Sequence, residues 1–237
     1  MTLPTPAITA RAIALFDAAR QRPGVPDPLP ERLFLVDVER QTATLIENGA
    51  AVAAWPVSTA RNGIGGENNS FKTPPGWHRI DAKIGMGAGA GTVFSSREPT
   101  GETWQGEPCE TDLILTRILT LDGLEEGINR GPGCDSRQRY IYIHGSNHEA
   151  LIGRPMSCGC VRMSNADVTA LFDQAREGDF VLIAPSDPRR IPDPSSGRFH
   201  YAGLGGSGMS AIAQFQAMKG GRVSGSDRAF DHGERAA

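Results

Sequence analysis

Residues 143–168, IHGSNHEALIGRPMSCGCVRMSNADV, contain two of the four cysteines of this 237-residue chain. Cys158 and Cys160 are separated by a single glycine, and a histidine, His144, ends the apolar run that opens the stretch. Two thiols at this spacing are compatible with a metal site, with a redox pair, or with a catalytic nucleophile beside a second cysteine. Which of these three sites the stretch forms decides what the chain does.

The metal site and the redox pair have little support in the spacing of the cysteines. A structural zinc site needs four ligands, and Cys109 and Cys134 show no paired spacing that would supply the other two. Redox pairs more often have two residues between the thiols than one. Isolated cysteines and histidines are usually structural, so spacing alone leaves the nucleophile and a structural role equally open.

Features close to Cys160 favour a nucleophile. His144 lies at a strand-to-loop edge, where catalytic residues are common, and it could act as a base for the thiol. A helix is predicted to start a few residues after Cys160, and the positive end of a helix also lowers the pKa of a thiol. Gly159 permits a tight turn, so that the amides of Gly159 and Cys160 could point at a developing oxyanion.

The sequence on both sides of this stretch predicts a β-rich domain. Glycine is dense in residues 61–80 and 83–107, which predicts long loops, and loops of this length in a compact domain are usually functional. Short apolar runs bounded by polar turns predict strands. These strands cover residues 32–38, 42–49, 51–60, 111–123, 139–145 and 179–184.

The pattern predicts helices at two places in this part of the chain. Apolar periodicity predicts the first at residues 8–21, and the prolines of residues 22–30 end it and form a stiff linker. The second is predicted at residues 164–178, where Ser164 is suited to cap its start and Gly178 to end it.

Composition and charge exclude several classes of function. The chain carries 24 Lys and Arg against 27 Asp and Glu, a formal net charge of −3, so neither nucleic acid nor a membrane surface is an expected partner. No apolar run approaches the ~18 residues that a membrane span needs. The start of the chain lacks a basic segment followed by an apolar one, so we expect a cytoplasmic protein whose cysteines remain thiols.

The opening stretch resembles the signature of the L,D-transpeptidase catalytic domain, also called the YkuD domain. That signature is an apolar strand ending in His-Gly-Ser or His-Gly-Thr, an Ile-Gly step, and Ser-x-Gly-Cys-Val-Arg before a helix. The run FKTPPGWHRI at 71–80 is similar to the Thr-Pro-x-Gly turn of the family, and the resemblance extends over residues 32–184. It implies a mainly β fold with a few short helices (α+β), a β-sandwich or mixed-sheet catalytic domain that an N-terminal helix precedes.

The resemblance also implies a cysteine enzyme that acts on peptidoglycan stem peptides or soluble muropeptides without a metal or other cofactor. Cys160 would attack the carbonyl at the L-centre of diaminopimelate, expel the terminal D-alanine and leave a thioester. His144 would accept the thiol proton and return it to the leaving amine, held in orientation by a backbone carbonyl at Gly145 or Ser146. Carbapenems are implied as inhibitors. Residues expected to support the site or to bind substrate are Gly159, Ser157, Arg162 and Ser146.

Two nearby residues compete with these assignments. Many members of the family have histidine where this chain has Cys158, and others have serine, so the resemblance gives no role in the oxyanion site to the side chain at this position. We interpret Cys158 as a bystander, with redox regulation as the alternative. His148, in the loop after the strand, is the competing candidate for the base.

The C-terminal part of the chain carries a second motif. Gly203, Gly205 and Gly208 form G-x-G-x-x-G between a predicted strand and a predicted helix, with Asp227 further on, which fits a phosphate-binding βαβ turn. The run resembles the opening of the first domain of a Mur ligase, which binds UDP-N-acetylmuramate. About forty residues are too few to bury a core of their own, so we expect no ligase activity.

The predicted organisation therefore has four parts. They are an N-terminal helix and Pro-rich linker at 1–31, the catalytic domain at 32–184, a linker at 185–197, and a truncated Mur ligase-like βαβ segment at 198–237.

Both resemblances point to peptidoglycan recycling. In the cytoplasm the available substrates are soluble fragments, and water is far more concentrated than any peptide acceptor. We therefore predict an L,D-carboxypeptidase that trims stem tetrapeptides to tripeptides. The alternatives are a wall-building L,D-transpeptidase that forms 3–3 cross-links and a non-catalytic protein that binds peptidoglycan fragments.

Overall fold

The structure is a computed structural model, and it describes residues 4–20, 24–184, 198–202 and 222–226. The chain divides into two compact units, Met1–Ser186 and Asp187–Ala237. The predicted linker at 185–197, the Gly203, Gly205 and Gly208 motif, the helix predicted after it, and Asp227 lie outside the described residues.

The first unit is built mainly from strands. A 3-10 turn, Glu149–Leu151, lies between the eighth and ninth of them. In chain order the elements are α1 Pro6–Ala19, β1 Arg32–Asp37, β2 Thr42–Glu47, β3 Ala50–Pro56, β4 Gly76–Ile84, β5 Thr92–Ser95, β6 Glu98–Thr103, β7 Ile114–Gly123, β8 Tyr142–Gly145, β9 Val161–Met163, α2 Asn165–Gln174 and β10 Phe180–Ala184.

These strands form one mixed sheet, so the predicted mainly β fold with an N-terminal helix is confirmed. The strand order is β3-β2-β1-β10-β4-β7-β5-β6, and β8 branches from β7 and pairs in turn with β9. The chain just after β3 then meets β9, because Ser58 and Arg162 exchange backbone hydrogen bonds of 2.8 and 2.9 Å. This bridge brings the segment after one edge strand against β9, the strand that directly follows Cys160.

Both faces of the sheet are buried over its central strands, and each face has its own core. Leu33 and Leu35 of β1 face one core, whereas Phe34 and Val36 face the other, as the period-two alternation of a strand requires. Helix α1 packs on the first face and α2 on the second. The buried residues of the two helices are Ala12, Leu15, Phe16 and Ala19 in α1, and Val168, Leu171 and Phe172 in α2.

The second helix begins where the sequence predicts and ends earlier. The Ser164 hydroxyl accepts a 3.0 Å hydrogen bond from the amide of Asp167, which caps the first turn. The helix ends at Gln174, because Ala175 turns to an extended conformation and is buried against the core. The predicted end at Gly178 is therefore wrong, and Gly178 lies instead in the turn before β10.

The prediction of long loops over residues 61–80 and 83–107 is wrong in part, because β4, β5 and β6 lie there. Strand β4 is central: it pairs with β10 on one side and β7 on the other, and Trp77 and Ile80 are fully buried. Strand β6 is exposed along its whole length, in keeping with its polar sequence. The partners of β4 lie far away in the chain, so local glycine content could not reveal the strand.

The described residues of the second unit are two strands. Strand β11, Arg198–Ala202, pairs in parallel with β12, Arg222–Ser226. Two parallel neighbours need a crossover between them, so this pairing agrees with the two strands of the predicted βαβ segment. None of the helices in the described ranges of either unit is long and apolar enough to span a membrane.

Candidate active site

The two strands that branch from β7 bring His144 and Cys160 into one region. His144 lies in β8, and Cys160 immediately precedes β9, which runs parallel to β8. The register pairs His144 with Arg162, two residues after Cys160. The sheet therefore places the predicted base on β8 and the predicted nucleophile directly before the parallel neighbour β9, although a long loop separates the two residues in the chain.

The imidazole of His144 is buried and fixed by one hydrogen bond. Its Nδ1 lies 2.7 Å from the carbonyl oxygen of Gly145, one of the two carbonyls that the sequence analysis suggested. Because a carbonyl only accepts, Nδ1 carries the proton and Nε2 is left as the basic nitrogen. Among the hydrogen bonds of the described residues, none uses Nε2 of His144.

His78, which is also buried, differs in this respect. Both ring nitrogens of His78 are engaged, Nδ1 with the carbonyl of Gly76 and Nε2 with the hydroxyl of Ser136, each at 3.0 Å. Burial lowers the pKa of His78 to about 4. This histidine has no free nitrogen with which to accept a proton from a reactant.

Close packing around Gly145 holds the carbonyl that orients His144. A Cβ atom at this position would lie 2.5 Å from Oδ1 of Asn165 and 2.7 Å from the backbone oxygen of Leu115. Only glycine fits without moving β7 or the start of α2. Gly145 thus determines the backbone path at the end of β8.

We expect Gly145→Ala to lower the free energy of unfolding by about 1–3 kcal/mol, the usual cost of overpacking. Urea denaturation of the variant and the wild type measures this change in the free energy of unfolding. Gly89→Ala is the matched control, because its Cβ would meet nothing closer than 4.0 Å and its backbone is not left-handed. Equal small changes for the two variants would show that β8 adapts and that Gly145 is not required.

The thiol of Cys160 is held by the backbone of two tyrosines. The amide of Tyr142 donates to Sγ at 3.4 Å, and the thiol lies 3.3 Å from the carbonyl of Tyr140, to which it donates. Burial raises the pKa of Cys160 to about 11, and the Tyr142 hydrogen bond opposes this only in part. The resting cysteine is therefore a neutral thiol, and the sequence-based expectation of a lowered pKa is wrong for this state.

The start of α2 does not act on the thiol as the sequence suggested. Strand β9 lies between Cys160 and the helix, and the carboxylate of Glu149 accepts a 2.7 Å hydrogen bond from the amide of Asn165. The Ser164 hydroxyl accepts a hydrogen bond from the amide of Asp167 in the same turn. The positive end of the helix is thus satisfied by local groups, and Glu149 supplies the negative charge that it favours.

A network around Ser157 shapes the loop that carries the thiol. The Ser157 hydroxyl donates to the carbonyl of Cys160 at 2.6 Å and accepts from the amide of Gly159 at 3.1 Å. Gly159 has a φ of +138°, which favours glycine. Because its amide is engaged, Gly159 is not free to bind an oxyanion here, contrary to the expectation. No hydrogen bond among the described residues uses the Cys160 amide, which leaves that donor available.

Thr73 supports the same loop and was not identified as a site residue from the sequence. Its hydroxyl donates to the carbonyl of Gly159 at 2.9 Å and accepts from the amide of Ala60 at the same distance. Thr73 opens the Thr-Pro-Pro-Gly run, so the motif itself was the available signal. The threonine ties the cysteine loop to the segment that follows β3.

An ion pair between Arg162 and Asp112 acts on both reactive groups. The two side chains are bonded, and Arg162 is 5% exposed against 37% for Asp112. Burial chiefly lowers the pKa of His144, while the Asp112 charge raises the pKa values of both His144 and Cys160 and the Arg162 charge lowers both. Both groups therefore lie within electrostatic reach of one ion pair. Asp112 carries no motif, and the sequence analysis missed it.

Ser146 and His148 belong to the loop after β8. Ser146 is fully buried; its hydroxyl accepts from the amide of His148 at 3.1 Å, and its carbonyl accepts from Nδ2 of Asn165 at 3.2 Å. Ser146 therefore supports the loop rather than facing a substrate. His148 precedes the 3-10 turn and makes no hydrogen bond with Cys160.

The sequence of this unit matches a known family. Residues 31–183 match the L,D-transpeptidase catalytic domain (YkuD). The chain belongs to this family. Residues 198–237 match the Mur ligase family, catalytic domain.

Individual L,D-transpeptidases are similar to the chain in sequence or in structure. The chain is 32% identical to the YkuD protein of Bacillus subtilis (strain 168) over 117 residues. This match covers 46% of the present chain and 70% of the Bacillus protein. An L,D-transpeptidase from Mycobacterium smegmatis is 18% identical with a TM-score of 0.42, over 65% of this chain and 59% of that one. LdtMt1 in complex with imipenem is 17% identical with a TM-score of 0.40, over 66% and 60%. The chain thus spans about 60% of the length of these two solved proteins.

A cleft of about 420 Å³ opens beside the cysteine loop of this L,D-transpeptidase domain. Its walls include Tyr140, Arg139, Cys158 and Phe71. Tyr140 and Phe71 are large hydrophobic side chains that remain more than half exposed. Exposed aromatic walls around a polar opening are typical of a site that binds an organic ligand.

The four cysteines are free thiols, of which Cys158 is exposed and Cys160 partly so. Cys158 lines the cleft but makes no hydrogen bond with the backbone network that holds Cys160. Within the described ranges, no three His, Cys, Asp or Glu side chains are grouped closely enough to bind a metal ion.

Proposed function

We propose that this domain is a cysteine acyltransferase or peptidase acting on the diaminopimelate–D-alanine bond of peptidoglycan stem tetrapeptides. Membership of the L,D-transpeptidase family supports the reaction class. The observation that carries the proposal is the hydrogen bond between Nδ1 of His144 and the carbonyl of Gly145. The Gly145 carbonyl fixes the proton on Nδ1, so Nε2 is basic on the strand beside Cys160.

In the first half-reaction the thiol of Cys160 attacks the carbonyl carbon at the L-centre of diaminopimelate. His144 accepts the thiol proton as the S–C bond forms, and the Cys160 amide donates to the oxygen that becomes negative. His144 then gives this proton to the nitrogen of D-alanine as the C–N bond breaks. D-alanine leaves, and the peptide remains on Cys160 as a thioester.

Arg162 and Asp112 balance the charges that develop during this half-reaction. Attack converts a neutral pair into an imidazolium and an oxyanion, a separation of charge that a dry site resists. The exposed carboxylate of Asp112 stabilises the imidazolium of His144, whereas the buried guanidinium of Arg162 holds Asp112 in place. The alternative is a protein that binds peptidoglycan fragments without turnover. The chain has both the nucleophile Cys160 and the base His144, and this argues against that alternative.

We further propose that water is the main acceptor in the second half-reaction, which makes the enzyme an L,D-carboxypeptidase of peptidoglycan recycling in the cytoplasm. The match of residues 198–237 to the Mur ligase family supports this assignment. Mur ligases act on nucleotide-linked precursors, so a chain that joins the two families is suited to soluble peptidoglycan fragments. A wall-building transpeptidase forming 3–3 cross-links is the second candidate, supported by the family alone.

The products of a soluble disaccharide-tetrapeptide distinguish these activities. The purified protein is incubated with the substrate, and the products are followed by mass spectrometry. We expect the loss of one alanine and little dimer. Dominant 3–3 cross-linked dimers would assign a transpeptidase instead. Substrate binding without any product, together with no covalent adduct from imipenem, would assign a non-catalytic binding protein.

A further inference from the structure

A tight turn between β5 and β6 places a guanidinium against the two tyrosines whose backbones hold Cys160. Ser96 and Arg97 form this turn, and both have left-handed backbone conformations, with φ of 50° and 73°. Nε of Arg97 donates to the Tyr142 hydroxyl at 2.8 Å, and Nη2 donates to the carbonyl of Arg137 at 3.2 Å. The turn and these two bonds hold the side chain in one orientation.

The same guanidinium stacks on two tyrosine rings. It lies 5.1 Å from the ring centroid of Tyr140 and 5.5 Å from that of Tyr142, and the two rings pack edge to face at 6.4 Å. Cation–π contacts of this kind stabilise a partly desolvated arginine. Arg97 therefore packs on Tyr140, one of the residues that line the cleft.

The two tyrosines connect Arg97 with the reactive thiol. Their backbones hold Sγ of Cys160, and Cys160 packs against the side-chain cluster that contains Tyr142. Burial chiefly raises the pKa of Tyr142, the charge of Arg97 lowers it, and the Cys160 thiol raises it further. The phenol of Tyr142 is thus within electrostatic reach of both the guanidinium and the sulfur.

Arg97 makes no ion pair with any described residue, unlike three other arginines of the first unit. Arg162 is paired with Asp112, Arg137 with Asp81 at 3.2 Å, and Arg130 with Glu126 at 3.4 Å. The two hydrogen bonds of Arg97 use Nε and Nη2, which leaves Nη1 available. A fixed guanidinium with free donors beside a cleft is suited to bind a carboxylate.

We propose that Arg97 binds a carboxylate of the acyl-donor peptide and thereby selects an anionic stem peptide. The inference rests on the proposed function and assigns the residue that recognises its substrate. Two carboxylates flank the bond that is cut: the C-terminal carboxylate of D-alanine and the carboxylate at the D-centre of diaminopimelate. Both are anionic oxygens of the same donor peptide, and the experiment separates them.

The test measures kcat and KM for the whole chain with three tetrapeptides. One is fully anionic, one has a C-terminal amide, and one is amidated at the D-centre of diaminopimelate. The variants are Arg97→Gln and Arg97→Lys. Arg137→Gln is the matched control, since it removes a neighbouring cation and leaves the backbone carbonyl that holds Arg97 in place.

We expect Arg97→Gln to lower kcat/KM for the anionic peptide by about 10- to 100-fold, mainly through KM, as for the loss of a charged hydrogen bond. Arg97→Lys should restore part of the loss. For the wild type, amidation of the carboxylate that Arg97 binds should cost a similar factor. In Arg97→Gln the same amidation should cause no further loss of kcat/KM. The amidation that lowers kcat/KM in the wild type but not in Arg97→Gln identifies the carboxylate that Arg97 binds.

Equal losses for all three peptides in Arg97→Gln would overturn the proposal and leave Arg97 as packing for the tyrosines. A comparable loss in Arg137→Gln would overturn it as well, because the effect would then reflect net charge. A wild-type protein that turns over none of the peptides would overturn the proposed function itself. Turnover by the wild type therefore separates the two failures.

Discussion

Cys160→Ala is expected to reduce turnover of a stem tetrapeptide below detection, whereas Cys158→Ala should retain most of the activity. Without the sulfur of Cys160 no thioester forms, and no other thiol is held in its place. Tyr140 and Tyr142 bind the Cys160 thiol through their backbones, and Ser157 fixes its carbonyl. Cys158 is exposed in the cleft, where it affects the Cys160 pKa only as a minor neighbouring charge.

The measurement compares initial rates of D-alanine release by the two variants and the wild type at matched protein concentrations. Adducts with imipenem, followed by intact mass, provide a second readout that does not depend on the peptide. Adduct formation should be lost in Cys160→Ala and retained in Cys158→Ala. Comparable losses of rate in both variants would mean that the two thiols act as a unit, and the bystander assignment would then fail.

The strands that could be predicted from sequence are those whose apolar residues are contiguous in the chain. Residues Arg32–Asp37 and Phe180–Ala184 form two such runs, and each is buried on both faces as a parallel pair. The sequence pattern did not predict strand β4, because its polar residues His78 and Arg79 interrupt the apolar run. Its partners β7 and β10 are also distant in sequence. A central strand can thus be fixed by pairing rather than by composition.

The residues of the site could be predicted from their motif, but their electrostatics could not. The His-Gly-Ser and Ser-x-Gly-Cys runs identified His144 and Cys160, and the structure places His144 on β8 and Cys160 directly before its neighbour β9. The raised pKa of Cys160 follows from burial, which no local pattern encodes. Likewise Asp112 reaches Arg162 from a loop with no motif, and Glu149 occupies the helix start that the sequence left open. These effects depend on tertiary neighbours.

The neutral state of the pair also determines what His144 must do. A cysteine with a pKa of about 11 is thiolate in only about one molecule in 10⁴ at pH 7, so a preformed nucleophile is scarce. Burial lowers the pKa of His144, which keeps the imidazole neutral and able to accept a proton. In the proposed reaction, proton transfer would therefore accompany attack on the carbonyl, and we expect the rate to depend on a base in position.

We accordingly expect His144→Ala to lower kcat by about 10² or more, the usual scale for a positioned acid–base group. His148→Ala is the matched control, since it alters the other histidine of the same loop region and should keep near-normal activity. Thermal unfolding and circular dichroism of both variants test whether the buried substitution at His144 disturbs the fold. A normal rate in His144→Ala with an inactive His148→Ala would show that the wrong histidine has been assigned.

The pH dependence of the wild type gives an independent test of the same role. A base must be unprotonated to act, and the His144 pKa lies below its ordinary value of 6.5 because burial disfavours the imidazolium. The acid limb of kcat/KM should therefore lie below pH 6.5, and the activity should be retained at pH 6.5 rather than halved. In His144→Ala this limb should vanish, and the residual rate should rise with pH as hydroxide forms the Cys160 thiolate. An acid limb that survives in His144→Ala would assign the titrating base to another group.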